Sequence, residues 1–483
     1  MKRTIIVSFL LGCVTLHAQP WIPDLGNGEY KNPIIHADYS DPDVVRSGDD
    51  FFMVSSSFNV APGLPVLHSK DLVNWTIVNH VFKNQVPLDV FNIPQHGNGT
   101  WAPAIRYHEG EFYVYYADPD YGIYMSKTKD PFGEWDPVVL VKEGKGWIDP
   151  CPLWDEDGNA YLVNAFAGSR AGMKSILVVH RMTPDGTSLF GEGVLVFDGH
   201  AAHGTIEGPK FYKRNGYYYI FAPAGGVSTG WQTILRSRDV FGPYEEKVVL
   251  HQGNTDINGP HQGGWVELEN GEDWFIHFQD KGAYGRIVHL QPMDWVDDWP
   301  TMGVDRNKDG IGEPVATYRK PNAGGTNEIM VPQTSDEFND VATGLQWQWN
   351  ANPQAEWMFN RGSIGTMRLY CMLLAEDHVN YWNVPNLLMQ KFPALEFTAT
   401  TKLKFNSMMD GDRTGLMIMG MDYASISVYQ EEGRLYVGEF ICKDARGGKE
   451  EVLTDSAPLE NAEIWLRVSV KKGAVCSFSY STN

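Results

Sequence analysis

The sequence predicts an all-β chain: a five-bladed β-propeller over residues 28–320, then a β-sandwich over residues 336–483. Two features of the first part carry the propeller. Five aromatic strands each follow a turn glycine at near-regular spacing, and a short acidic or proline-containing element precedes each of them. One feature of the second part carries the sandwich, namely the alternation of apolar and polar residues in successive short runs.

The glycines are Gly48, Gly110, Gly158, Gly216 and Gly271, spaced by 62, 48, 58 and 55 residues. Each opens a run of β-formers (51–54, 112–116, 161–163, 217–221 and 274–278), as expected for the second arm of a hairpin. The preceding elements are Asp41-Pro42, Ala102-Pro103, Asp149-Pro150, Glu207-Gly208-Pro209 and Gly259-Pro260-His261. The residues Asp41, Ala102, Asp149, Glu207 and His261 precede their glycines by 7, 8, 9, 9 and 10 positions. A repeat near 50 residues with about four strands is a propeller signature. The first strand of every blade lines the central channel, so the repeat should gather Asp41, Asp149, Glu207 and His261 at one mouth of it.

Composition narrows the partner. The net charge of -21 comes from 39 basic and 60 acidic residues. Such a surface repels nucleic acid and anionic membranes, which leaves a neutral ligand such as a sugar. Lys2 and Arg3 followed by the apolar residues 5–11 read as a signal peptide over residues 1–18, cut after Ala18. The chain is therefore expected to be exported, periplasmic or secreted. Leu10-Leu11-Gly12-Cys13 offers a lipoprotein signal as the alternative. No later stretch is long and apolar enough for a membrane span. Cys151, Cys371, Cys442 and Cys476 show no metal-ligand spacing and read as buried thiols. The sequence leaves the oligomeric state open.

Three acids at matched positions around one channel suggest chemistry rather than turns. Burial and mutual repulsion raise the pKa of at least one carboxyl, so that one stays protonated while another is ionised. Glycoside hydrolysis needs such a pair: an acid for the leaving oxygen and a base for water.

The same residues resemble glycoside hydrolase family 43, the β-xylosidases, α-L-arabinofuranosidases and arabinanases. The resemblance is carried in order by Asn32 to Arg46, Phe58 to Trp75, Thr100-Trp101-Ala-Pro103, Trp147-Ile-Asp149-Pro150, Ile206-Glu207-Gly-Pro209, Asn258-Gly-Pro-His261 and Tyr284-Gly-Arg286. It implies that Asp41 is the general base, Asp149 the residue that tunes and orients the acid, and Glu207 the general acid. It further implies inversion, with carboxyls roughly 6.5–9.5 Å apart. Phe58 and Trp101 are expected as apolar walls against the sugar, with blade packing as the alternative. Arg286 is expected to contact the sugar, with a surface ion pair as the alternative. His261 aligns with a histidine that helps hold calcium in relatives, mainly through water. A hydrogen-bonded core histidine is the alternative. No cofactor is required for the chemistry. Asp305 to Gly310 has the start of a calcium loop, but Ala316 stands where its final Glu belongs, so a polar turn is expected.

The expected activity is exo-acting, inverting release of xylose or L-arabinofuranose from plant cell-wall oligosaccharides of the hemicellulose type. Two alternatives are a non-catalytic carbohydrate-binding propeller and a retaining fructan hydrolase. The fructan hydrolases place a Cys after the acid, where this chain has Gly208. Residues 321–335 read as a polar linker. The second region resembles the concanavalin-like sandwich that follows family 43 propellers. It is expected to be incomplete, because residues 475–483 stop in what reads as a strand and its turn.

Overall fold

The computed structural model describes residues 20–324, 328–360, 362 and 364–482, so the signal-peptide reading lies outside the described residues. Turn chemistry starts the blades. Glu109-Gly110 and Asn215-Gly216 have left-handed backbones (φ 48° and 84°, 51° and 71°) and join paired residues His108/Glu111 and Arg214/Tyr217. Two-residue turns of this kind match the twist of the flanking strands.

Five four-stranded antiparallel sheets follow one another, each built from consecutive strands. Blade 1 is Asp43–Ser47, Asp50–Val54, Gly63–Ser69 and Thr76–Phe82. Blade 2 is Trp101–His108, Glu111–Asp118, Gly122–Thr128 and Val139–Glu143. Blade 3 is Trp147–Trp154, Ala160–Phe166, Ile176–Met182 and Leu189–Asp198. Blade 4 is Lys210–Arg214, Tyr217–Ala224, Trp231–Ser237 and Glu245–Leu250. Blade 5 is His261–Glu267, Asp273–Asp280, Arg286–Val296 and Trp299–Met302. The only α-helix among the described residues is the four-residue Gly168–Ala171.

Apolar cores fill the gaps between neighbouring blades. Phe52 and Val54 meet Phe112 and Val114, and Tyr115 meets Leu162. Val163 meets Ile220, Phe221 meets Phe275, and Met53 meets Ile276. Each such side chain, fully buried, stabilises by roughly 1.5–3 kcal/mol. The ring closes between blades 5 and 1. There Glu29–Lys31 pairs with Thr317–Arg319, and Ile35 bridges Val288. Asn32 Nδ2 donates to Leu290 O (2.8 Å) while Leu290 N donates to Asn32 Oδ1 (2.9 Å).

Beyond the propeller, two antiparallel sheets form the sandwich. One holds Phe397–Lys404, Glu463–Lys471 and Val475–Ser481; the other holds Arg413–Ile418, Tyr423–Glu431, Arg434–Cys442 and Val452–Leu459. Phe405, Ile426, Val428, Val437, Ile464 and Leu466 form the core between them. Of the cysteines, Cys151 and Cys442 are buried, but Cys371 is exposed and Cys476 half-buried, which corrects the expectation of four buried thiols. At residues 305–310 the carboxylates cap their own turn: Asp305 accepts from the Asp309 and Gly310 N–H groups, and Asp309 from the Ile311 N–H. The polar-turn reading accounts for them.

The stretch before the sandwich docks on the loops of blade 1. Ala61 bridges Trp349, and Asn59 Nδ2 donates to Asn350 O (2.8 Å). Asn352 is 2% exposed, accepts from Gln85 N (2.7 Å) and donates to Gln85 O (2.9 Å). Asn352→Ala leaves both backbone groups without partners, so it is expected to lower stability by about 2–3 kcal/mol. Urea unfolding followed by Trp fluorescence measures this.

Candidate active site

The first strand of each blade is preceded or interrupted by a left-handed residue, with Thr205 and Gly259 left-handed as well ahead of blades 4 and 5. The five are Asp41 (φ 54°), Ala102 (26°), Asp149 (56°), Gly208 (59°) and Gln262 (35°). Four of the five precede a proline, and Gln262 precedes Gly263. The structural register therefore differs from the sequence reading in blades 4 and 5, where Glu207 and His261 stand one residue before the matched position. The reason is local. Gly208 takes the left-handed backbone at no steric cost, whereas Asp41 and Asp149 hold it against their own Cβ atoms. Exposure follows the offset: the Glu207 side chain is 26% exposed and that of Asp41 is 5% exposed.

Asp41 is held by three donors. Ser40 Oγ (2.7 Å) and Ser56 Oγ (2.6 Å) donate to Oδ2, and Arg286 Nη1 donates to Oδ1 at 2.8 Å. Arg286 also donates to Ser40 Oγ (2.8 Å), and its guanidinium lies 4.8 Å from the centre of the Phe278 ring. Its ion pair is thus with Asp41 itself and not with a surface acid. Asp149 Oδ2 accepts from the Gly208 N–H at 2.7 Å. Burial and the charge of Asp41 raise the Asp149 pKa to about 7, against the opposing effects of Gly208, Lys210 and a hydrogen bond from Gln262. Burial, Asp149 and Asp41 raise Glu207 to about 8, while Arg286 and Lys174 act against the rise. The three acids therefore share one electrostatic environment, and Glu207 keeps its proton at neutral pH.

Phe58 and Trp101 lie at the corner of blades 1 and 2. The Phe58 backbone exchanges two hydrogen bonds of 3.0 Å with Thr100, next to Trp101. Ala102 N donates to Ser56 Oγ (2.8 Å), the same hydroxyl that donates to Asp41. Trp101 Nε1 is occupied by Gly97 O (2.8 Å), which fixes the indole plane, and both aromatic side chains are only half-buried. The corner thus joins the two aromatic residues to the carboxylate cluster by hydrogen bonds.

His261 is fully buried, and neither ring nitrogen has a hydrogen-bond partner. Nε2 stands 3.5 Å from Glu207 Oε1, and burial lowers the imidazole pKa to about 3, so the ring is neutral. Glu207 Oε1 is thus the acidic group that His261 faces. Among the described residues no three His, Cys, Asp or Glu side chains form a set that could hold a metal ion. The donors fit calcium through one imidazole nitrogen and water at most, a weak match for a hard cation.

Ser40, Ser56, Gly208 and Gln262 were not legible as site residues. Only the positions beside Asp41 and Glu207 hinted at Ser40 and Gly208. Gly208 is the most constrained of them: a Cβ there would lie 2.2 Å from Gln262 Cγ, on a left-handed backbone. Gly208→Ala is expected to displace the N–H from Asp149 and lower kcat by about 10²-fold. Steady-state kinetics on an aryl glycoside, with Tm as the folding control, measures it.

The comparisons with known proteins point to one family. The model of glycosyl hydrolases family 43 matches residues 30–300, and that of the β-xylosidase C-terminal concanavalin A-like domain matches residues 335–483. The chain belongs to glycoside hydrolase family 43. A protein of Xylanibacter ruminicola, described as a candidate β-xylosidase, is 41% identical over 92% of this chain and 79% of its own length. A β-xylosidase of Formosa agariphila is 37% identical over 68% of this chain and 60% of its own length. A non-reducing end α-L-arabinofuranosidase of Bacteroides ovatus is 29% identical over 82% of this chain and 75% of its own. A solved family 43 protein of Bacillus licheniformis, crystallised as a mutant, superposes with a TM-score of 0.80 at 26% identity, covering 94% of this chain and 89% of that one. This family 43 chain is accordingly a glycosidase built as a propeller followed by a sandwich.

Proposed function

We propose that the protein is an exo-acting, inverting hydrolase that removes a terminal β-xylose from plant cell-wall oligosaccharides. One observation carries the reading. Glu207, raised to about 8, is a proton donor at neutral pH, while both oxygens of Asp41 accept hydrogen bonds, from Ser40, Ser56 and Arg286. In the reaction Asp41 takes a proton from water as the water oxygen bonds to the anomeric carbon. The bond from that carbon to the leaving oxygen breaks, and the Glu207 proton passes to that oxygen. Asp149, hydrogen-bonded to the Gly208 N–H, orients the segment that carries Glu207. Arg286 holds Asp41 and offers its remaining N–H groups to the sugar. Phe58 and Trp101 supply the apolar walls.

Xylose is favoured because the relatives at 41% and 37% identity are described as β-xylosidases. L-Arabinofuranose is the second reading, on the relative named for that activity. Export rests on the leader-like residues 1–18 alone. The test is hydrolysis of nitrophenyl β-D-xylopyranoside and α-L-arabinofuranoside, with proton magnetic resonance of the first sugar released. An α-xylose signal appearing first supports the reading. A β-xylose signal appearing first contradicts inversion, and no turnover of either glycoside contradicts the substrate class.

A further inference from the structure

Two to four residues further along the same channel strands lies a second ring of polar groups, built from all five blades, with Asp43, Cys151 and Lys210 buried and Arg106 and Tyr212 partly so. Asp43, in blade 1, has a fully buried side chain. Its Oδ2 accepts from Ile105 N (2.9 Å) and Arg106 Nη1 (2.7 Å) of blade 2 and stands 3.9 Å from Lys210 Nζ of blade 4. Lys210 is 1% exposed and donates to Pro103 O at 2.6 Å. Arg106 Nη2 donates to Cys151 Sγ of blade 3 (2.9 Å), which also accepts from Phe211 N (3.2 Å). The Arg106 guanidinium lies 4.7 Å from the centre of the Tyr212 ring, whose hydroxyl accepts from Trp265 N of blade 5 (3.0 Å). Gly264 of blade 5 has no room for a side chain, because a Cβ would meet Asp43 Oδ1 at 2.5 Å.

Buried ions are costly, and packed apolar residues would hold five blades together as well. This ring instead keeps two cations for one carboxylate, which leaves one positive charge under three clustered acids. We propose that Lys210 and Arg106, balanced by Asp43, are positioning residues that set the charge on Asp149 from the side away from the substrate. The inference rests on the reading of Asp41, Asp149 and Glu207 as the catalytic acids. Asp149 faces Asp41 from blade 1, Glu207, the Gly208 N–H and Lys210 from blade 4, and Gln262 from blade 5. Arg286 and Lys174 act on Glu207, and His261 stands against it. Lys210 follows Gly208, the donor to Asp149, by two residues and opposes the effects of burial and Asp41, and Arg106 reaches the strand of Asp149 through Cys151, two residues further on.

The test uses two variants with opposite expected signs. Lys210→Met removes a cation, and Asp43→Asn removes the balancing anion while keeping an oxygen for Ile105 N and Arg106. The readout is the protonation midpoint of Asp149, from infrared titration of protein labelled with carbon-13 aspartate, with the band assigned by its loss in Asp149→Asn. The midpoint is expected to rise in Lys210→Met and fall in Asp43→Asn, each by about half to one pH unit. The acid limb of pentoside hydrolysis should follow. Midpoints that stay at the parent value in folded variants, or that move in the same direction in both, overturn the inference. If Lys210→Met fails to fold, the sign of the shift in Asp43→Asn decides. If the parent cleaves no pentoside, the functional reading falls, while the infrared titration still decides the charge relation.

Discussion

Glu207→Ala is expected to lower kcat on a xylo-oligosaccharide by about 10³-fold and on a dinitrophenyl xyloside by far less, because an activated phenolate leaves without a proton. The pH profile carries a second signature. A carboxyl raised to about 8 is protonated below that pH and charged above it, so kcat/KM of the parent should fall as pH rises through about 8. Glu207→Gln should remove that alkaline limb along with most of the activity. Stability has the same sign. The folded carboxyl binds its proton more tightly than the unfolded one, so its favourable contribution is complete below the unfolded value and disappears through about 8. At pH 9 the glutamine variant should therefore melt above the parent. A parent profile that stays flat to pH 10, or equal losses on both substrates, would remove Glu207 from the acid role.

Asp41→Ala should cost about 10³-fold on both substrates alike, because water activation is needed whatever leaves. Azide should restore turnover, since a small anion can enter the space vacated by the carboxylate and needs no base. The product should be the glycosyl azide of inverted configuration. The variant also strips Arg286 of its 2.8 Å partner, so an increase in KM should accompany the fall in kcat. Azide that rescues Glu207→Ala but not Asp41→Ala would reverse the two roles.

The architecture was legible because its signals repeat. Five turn glycines and five proline-containing elements give the blades, and the second region was read from runs that match observed strands such as Tyr423–Glu431 and Glu463–Lys471. Asp41 and Asp149 stood out because aspartate before proline recurs at the matched position. Glu207 and His261 were found but set one residue out of register, since a count of residues cannot tell which one takes the left-handed backbone. Glycine does so in blade 4 and glutamine in blade 5. Ser56 and Gln262 were invisible, as each is a common residue whose role arises only when two blades meet. The same holds for Lys210, which sequence alone would place on a surface, because lysine is almost never fully buried without a partner.

The Asp41–Arg286 pair spans the one gap in the ring that no continuous backbone crosses, from the start of blade 1 to the third strand of blade 5. No sheet crosses that gap, which is held by the apolar core around Met53 and Ile276, a three-residue pairing, a single bridge and side-chain bonds around Asn32. A slight parting there would separate the water-activating group from its clamp while every sheet stayed intact. On mild heating or in dilute denaturant, catalysis should thus fail before circular dichroism registers any loss of strand.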